Sequence, residues 1–254
     1  MQHRTAVRLA LACLAIPALP AVAQVTQKPD GQWRSLFTAG ASVANGNSDA
    51  KSASVGADVI KLTDSDKWEL TGAGQYARSA GATTANRQAF TGLYNRDITP
   101  QWYGFGQLDL ARDIPSDLAS RITPSTGLGY HVVKKPDQTF DISAGVAYTW
   151  DRYRTPQVVD DELRSRRDHA ELLLAEESNN KLSDTTTFKQ KLTIYPSVSD
   201  GDGVRSVFDA GVSVAMTKQL ALTATLSHRY DSQPGEGLKK NDTLFVTGVS
   251  LRFD

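Results

Sequence analysis

Beyond the first 23 residues, the side chains best suited to acid–base chemistry are His131, His169 and His228. A hydrolase would place such a histidine beside a nucleophile and an orienting acid. Ser227 precedes His228 but points to the opposite face of a strand. His169 and Glu171 share a face, and we interpret them as a pair at a strand end. Because no fuller constellation is visible, we predict no catalytic residue, no metal site and no cofactor.

Charged side chains recur on the polar faces of segments in which apolar and polar residues alternate. If those faces line the lumen of a barrel, the ionised groups must be hydrated or paired, because an isolated buried charge is too costly. A water-filled pore and a plug closed by ion pairs both satisfy this condition, and the sequence leaves both open. The candidate lumen charges are Glu69, Asp141, Asp151, Lys189, Lys191 and Arg252.

Two further charged motifs lie between the segments. The stretch from Ser199 to Gly203 is rich in Asp and Gly, but it lacks the remaining ligands of a calcium loop, so we interpret it as a flexible turn. The acidic run at 160–162 is followed by Arg164, Arg166 and Arg167. This pattern predicts a solvated loop whose arginines are suited to lipopolysaccharide phosphates.

The elements that carry these residues are predicted to be strands. Twelve segments of about ten to fourteen residues alternate with period two, which is typical of outer-membrane barrels. The last segment, 242–253, is predicted to close the sheet by pairing with the first, because an unpaired edge cannot exist in lipid. The outward residues of this barrel-closing strand are predicted to be Phe245, Val249, Leu251 and Phe253.

The connectors alternate in length, which predicts an orientation. Most connectors after odd-numbered segments look long, as at 80–86, 113–120 and 153–168, whereas those after even-numbered segments are short. Outer-membrane barrels have short periplasmic turns, so both termini are expected on the periplasmic side. In the eighth segment, Glu171, Glu176 and Glu177 fit no single face, which predicts a bulge or a strand rising above the bilayer.

Aromatic residues concentrate at segment ends, where two membrane interfaces would lie, and not in mid-strand as in a sandwich core. The predicted aromatic girdle includes Trp68, Trp102, Phe140, Trp150 and Tyr230.

The beginning of the chain predicts export. Residues 1–23 combine Arg4 and Arg8 with an apolar run and end in Ala21-Val22-Ala23, as signal peptides do. Cys13 lies inside the apolar run and without the usual lipobox leucine, so we interpret it as part of that peptide. Residues 24–33 are predicted to be a periplasmic lead-in, and 34–254 the barrel. The mature chain would carry 28 − 2 = 26 basic and 28 acidic residues, which argues against binding nucleic acid.

Several short motifs resemble one known family. They are Gly40 with Gly46-Asn47-Ser48, Trp68-Glu69-Leu70, Tyr103-Gly104-Phe105-Gly106 with Arg112-Asp113, Gly127-Leu128-Gly129-Tyr130, Gly145, and Lys240-Asn241-Asp242-Thr243 through Phe253. In this order the chain resembles the salt-induced outer-membrane proteins of the YdiY type, domain of unknown function 481. The resemblance implies an all-β transmembrane antiparallel up-and-down barrel and no settled activity. The chain departs from the common pattern by ending in Asp254 instead of an aromatic residue.

These observations predict a non-catalytic barrel of the bacterial outer membrane with a porin-like or envelope-structural role. Its expected partners are outer-membrane lipid, lipopolysaccharide and, during insertion, the barrel-assembly machinery. Two alternatives stay open at this point. One is an outer-membrane barrel hydrolase that uses His228 or His169, and the other is a soluble periplasmic β-protein that binds an apolar ligand.

Overall fold

The computed structural model describes residues 27–44, 50–159, 162–199, 203–234 and 239–253. In this part of the chain, twelve antiparallel strands form one closed barrel in which each strand pairs with its sequence neighbours. The strands are β1 (Trp33–Ala44), β2 (Ala50–Leu62), β3 (Asp66–Ser79), β4 (Ala82–Asp97), β5 (Trp102–Asp113), β6 (Leu118–Lys134), β7 (Gln138–Val159), β8 (Glu162–Lys181), β9 (Thr186–Pro196), β10 (Val204–Ala215), β11 (Leu220–Asp231) and β12 (Asn241–Phe253). The predicted fold class is confirmed. The predicted signal peptide, the turn at 45–48 and Asp254 lie outside the described residues.

The barrel closes between β1 and β12, in a register that runs from Ser35 opposite Phe253 to Ala39 opposite Val249. The rings of Phe37 and Phe253 meet edge to face across this seam, with centroids 5.9 Å apart. Closure leaves no unpaired strand edge, which is the condition for a sheet to span a membrane. No helix in the described ranges is long and apolar enough to cross a membrane.

The two faces of the sheet differ as a membrane barrel requires. On β7, the outward Val146 and Trp150 are exposed, whereas the inward Thr149 and Asp151 are buried. Exposed apolar side chains at outward positions of most strands form the kind of surface that a barrel presents to lipid. The outward residues of β12, namely Phe245, Val249, Leu251 and Phe253, are each about half exposed and belong to that surface.

Aromatic pairs mark the end of the barrel that carries the chain termini and the short turns, here called the terminal rim. Trp68 packs on Tyr94 with ring centroids 4.4 Å apart, and Trp102 meets Tyr130 at 5.1 Å. The opposite end, here called the loop rim, carries the outward pair of Tyr148 and Trp150. All of the predicted girdle residues lie on outward positions of their strands, namely Trp68, Trp102, Phe140, Trp150 and Tyr230.

Three of the predicted long connectors are wrong, because the strands continue through them. The turn between β3 and β4 consists of Ala80 and Gly81, both with positive φ, at 48° and 80°. The connector after β5 shrinks to 114–117. The predicted loop at 153–168 is mostly strand, since β7 and β8 stay paired as far as Val159 and Glu162. Backbone pairing therefore continues where the sequence pattern loses its alternation.

The predicted bulge in β8 is also wrong. The strand pairs regularly with β9, and the shift in its pairing with β7 lies on the β7 side, between Arg152 and Gln157. Glu171 and Glu177 point inward, whereas Glu176 points outward and accepts a hydrogen bond from Gln190. The acidic residues of this strand thus lie on both faces of the sheet. The strand is 20 residues long, and the other expectation, that it rises above the bilayer, stays a prediction.

Inside the barrel, two β5 rings fill the space left by glycines on the neighbouring strands. A Cβ atom at Gly129 would overlap the ring of Tyr103, and one at Gly127 would come within 2.8 Å of Phe105. The two rings belong to a buried apolar cluster that also contains Leu93, Ala147, Leu173 and Tyr195. Because this cluster joins β4 and β5 to β8 and β9, opposite walls of the barrel are drawn together.

We predict that Gly129→Ala destabilises the barrel by about 1–3 kcal/mol, the usual cost of overpacking a filled interior. Gly106→Ala is the matched control, because this β5 glycine has no atom within 4 Å of its added Cβ. Urea unfolding in detergent, followed by heat-modifiable gel migration, measures both. Equal stability of the two variants would contradict the packing described here.

Candidate functional site

Towards the terminal rim, the lumen holds five charged residues from three strands, here called the lumen ion cluster: Lys67 and Glu69 on β3, Glu177 on β8, and Lys189 and Lys191 on β9. In the closed strand order, β3 and β9 are separated by five strands on either side, so they face each other across the barrel. Lys189 Nζ lies 2.9 Å from Glu69 Oε1, and Lys67 Nζ lies 3.3 Å from Glu177 Oε1. Opposite walls are thus joined by ion pairs.

The cluster is compact and nearly closed to solvent. The side chains of Lys67 and Lys189 are each 16% exposed, and that of Glu177 is 13% exposed. Lys67 and Lys189 each touch both glutamates, at 2.7 Å for Lys67 and Glu69 and at 3.3 Å for Lys189 and Glu177. The lumen is therefore occupied by paired charges at this level. This pairing favours the charge-paired plug, the second of the two possibilities that the sequence leaves open.

A cavity of about 450 Å³ lies in the lumen next to this cluster and extends towards the loop rim. Glu69 and Lys189 form part of its wall, together with residues near the loop rim such as Tyr153 and Asp231. Most of its inward side chains are polar or charged. The cavity is a size that suits small molecules, whose pockets usually measure about 300–1,000 Å³.

Near the loop rim, one wall of the lumen carries a second set of buried charges. Arg121 donates from Nε and from a terminal nitrogen to both oxygens of Asp151, at 2.6 and 2.7 Å. The Asp151 side chain is fully buried. This two-point geometry between guanidinium and carboxylate is among the strongest hydrogen-bonded ion pairs in proteins.

Glu171 is the centre of a hydrogen-bond chain beside that pair. Its Oε2 accepts from Thr149 Oγ1 at 2.7 Å and from Arg205 at 2.9 Å. The Arg205 guanidinium also stacks over the Tyr195 ring, 4.0 Å from its centroid. The lumen wall near the loop rim is consequently held by hydrogen bonds that converge on the Glu171 carboxylate.

His131 forms a third polar group towards the terminal rim. Its Nδ1 lies 2.7 Å from Asp141 and its Nε2 lies 3.1 Å from Asp97. The imidazole also stacks on Tyr103, with ring centroids 4.8 Å apart. Two carboxylates on one ring make this histidine a structural bridge between β4, β6 and β7.

At the terminal rim, Arg34 ties the segment before β1 to the barrel. Its guanidinium donates to Asp30 Oδ1 at 2.8 Å and to the Lys28 carbonyl oxygen at 3.3 Å. Arg34 holds the pKa of the Asp30 carboxyl well below its usual range. Arg252 also points inward here, on β12 opposite Leu36 of β1.

The structure thus divides the predicted lumen charges among separate groups. Glu69, Lys189 and Lys191 meet in the lumen ion cluster, whereas Asp141 bonds His131 and Asp151 bonds Arg121. The sequence interpretation missed Lys67 and Glu177, the two residues that complete the cluster. Lys67 is two residues from Glu69 and shares its face, so this partner was visible in the alternation.

The two histidines considered for catalysis lack a hydrolase arrangement. Nδ1 of His228 is 2.8 Å from Thr243 Oγ1, on the outward face, and among the described residues no acid bonds its other nitrogen. Nε2 of His169 is 3.5 Å from Glu171, whose other oxygen already accepts from Thr149. Within the described ranges, no group of three or more His, Cys, Asp or Glu side chains could hold a metal ion.

The family follows from a model described as protein of unknown function, DUF481, which matches residues 37–253. The chain belongs to the DUF481 family. This match covers every strand of the barrel except the first residues of β1, and it confirms the resemblance seen in the motifs. No curated protein sequence matches the chain significantly.

Solved structures with some likeness to this DUF481 barrel are other barrels. A NanC porin is 14% identical with a TM-score of 0.46, covering 86% of this chain and 96% of its own. A KdgM porin is 10% identical with a TM-score of 0.44, covering 88% and 100%. The translocator domain of autotransporter NalP from Neisseria meningitidis is 12% identical with a TM-score of 0.44, covering 87% and 88%.

We predict that Asp151→Asn destabilises the barrel by about 3–5 kcal/mol, because breaking a buried ion pair leaves one charge uncompensated. Asp184→Asn is the control, since Asp184 lies in an exposed turn and pairs with Lys181 at the end of β8. Unfolding midpoints in detergent compare the two. A loss for Asp151→Asn no larger than for Asp184→Asn would show that the Arg121 pair is not important for stability.

Proposed function

We propose that this chain is a non-catalytic, porin-like barrel of the bacterial outer membrane, and that the lumen ion cluster holds its solute path closed. The observation that carries the proposal is the ion pairing between opposite walls at the edge of a polar cavity. The closure consists of side chains. Paired lysines and glutamates can separate by changing rotamers, whereas a packed apolar plug would have to unfold.

The polar inner face around the cluster supports a path more than a purely structural barrel. Towards the loop rim lies the cavity, and the β1–β12 wall carries inward groups such as Thr38 and Ser250, whose hydroxyls lie 2.8 Å apart. A barrel with only an envelope-structural role could fill its lumen with apolar side chains. Here the apolar cluster occupies one side, and polar groups line the remainder.

The proposal includes the expected compartment and orientation. The chain would be exported by its first 23 residues and inserted by the barrel-assembly machinery, with the terminal rim facing the periplasm. Lipopolysaccharide would surround the loop rim, where β7 and β8 extend furthest. The salt-induced role that the resemblance implies also remains part of this proposal.

Planar-bilayer conductance tests the closure. Lys67→Met combined with Glu177→Gln removes one ion pair without changing the net charge, and we expect conductance to rise several-fold above that of the unaltered chain. The matched control is Lys181→Met combined with Asp184→Asn, which neutralises an ion pair at the terminal rim. We expect this control to behave as the unaltered chain.

Two results would contradict the proposal in different ways. If the unaltered chain conducts as freely as the cluster variant, the ion pairs do not close the path. If neither chain conducts although both migrate as folded barrels, the role is envelope-structural and the cavity is not part of a path.

A further inference from the structure

The cavity contains carboxylates that no cation neutralises. Asp58 lines it and makes no hydrogen bond or ion pair with any described residue, although the surrounding protein largely encloses its carboxylate. Asp109 also lines it and accepts hydrogen bonds from the neutral groups of Thr91 and Gln107, at 2.6 Å each. No lysine or arginine in the described ranges is within ion-pair distance of either. Two such acids in a confined space indicate a site for a cationic group.

Strand register places these acids in one row across a single wall. Asp58 is opposite Thr71, Thr71 is opposite Thr91, and Thr91 is opposite Asp109, on β2 to β5. All four are inward positions, so the row offers a carboxylate at each end and hydroxyls between them. Neighbouring strands lie about 4.8 Å apart. A small ammonium group can therefore reach either carboxylate from within the cavity.

Charges of opposite sign are concentrated on opposite walls of the cavity. The β2–β5 wall contributes two arginines, Arg87 and Arg112, and four acids, namely Asp58, Glu69, Asp109 and Asp113. The β9–β11 wall contributes more cations than acids, namely Lys189, Lys191, Arg205 and Arg229 against Asp209 and Asp231. An electric field thus crosses the cavity from the basic wall to the acidic wall.

Ion pairing within each wall leaves this polarity in place. On the acidic wall, Asp113 is neutralised by Arg87 at 2.7 Å and Glu69 by the lumen ion cluster, which leaves Asp58 and Asp109. On the basic wall, Lys191 has one ion pair with a described residue, Glu177, at 3.8 Å, whereas Arg229, Asp209 and Asp231 have none. Four cations against two acids leave this wall positive, opposite the unpaired Asp58 and Asp109.

We propose that the cavity binds a small zwitterionic solute, with its ammonium group at Asp58 or at Asp109 and its carboxylate at Lys191 and Arg229. A zwitterion satisfies both walls without bringing net charge into the lumen, whereas a simple anion or cation satisfies only one. This inference rests on the proposed porin-like function and names the solute class that would use the path. The floor of the site is the lumen ion cluster.

Three probes of equal chain length test the proposal by calorimetric titration of the full barrel in detergent: 6-aminohexanoate, hexylamine and hexanoate. We expect 6-aminohexanoate to bind at least several-fold more tightly than the other two. Asp58→Asn should weaken its binding several-fold, and Asp58→Asn with Asp109→Asn should abolish it. Asp184→Asn, in the turn at the terminal rim, should leave it unchanged.

Equal binding of hexylamine and 6-aminohexanoate would overturn the zwitterion assignment, as would binding of 6-aminohexanoate that Asp58→Asn leaves unchanged. Heat-modifiable migration checks that each variant is folded. If 6-aminohexanoate binds but the barrel does not conduct, the porin-like function is wrong and the binding site stands. If the barrel conducts but does not bind 6-aminohexanoate selectively, the binding site is wrong and the porin-like function stands.

Discussion

An ionised side chain inside a barrel must be paired or hydrated, and this constraint determines how the lumen is organised. Side chains alternate between the two faces of the sheet, so a charge at an inward position is committed to the interior once the register is set. Where the opposite walls lie close, the charges neutralise each other across the lumen, as Lys67 and Glu177 do. Where the walls separate, they leave a polar cavity with unneutralised carboxylates. The closure and the cavity therefore have one physical origin.

Aromatic packing and ion pairing act together inside the barrel. The β5 rings occupy the space over the glycines of β6, and the same cluster reaches Leu173 and Tyr195 on the far side of the lumen. That packing brings β4 and β5 close to β8 and β9. Long lysine and glutamate side chains then span the remaining distance. Neither the rings nor the ion pairs alone explain why the opposite walls meet.

Much of this fold was predictable from local pattern. Period-two alternation and turn residues identify the twelve strands, because both depend on residues near one another in the chain. The outward positions of Trp68 and Trp102 follow from the same rule. The long connectors were wrong at 80–86, 113–120 and 153–168 because backbone hydrogen bonds need no particular side chains. At the loop rim, the ends of β7 and β8 pair although their sequences do not alternate between apolar and polar residues.

The pairing inside the lumen was less predictable for a different reason. Alternation shows that Glu69 and Lys189 point inward, but the contact between them spans 120 residues and depends on which strands face each other. That depends on strand number and on how far the barrel departs from a circle, neither of which is a local property. Glu177 illustrates the difficulty, since its neighbour Glu176 points outward and obscures the pattern.

The measurement that tests this account most directly is a solid-state NMR distance between the lysine Nζ atoms and the glutamate carboxyl carbons of the barrel in lipid bilayers. We expect a short-range correlation between the Lys67 Nζ atom and the Glu177 carboxyl carbon, which disappears in Glu177→Gln. A lumen in which both side chains show only contacts to water, with no correlation between them, would contradict it.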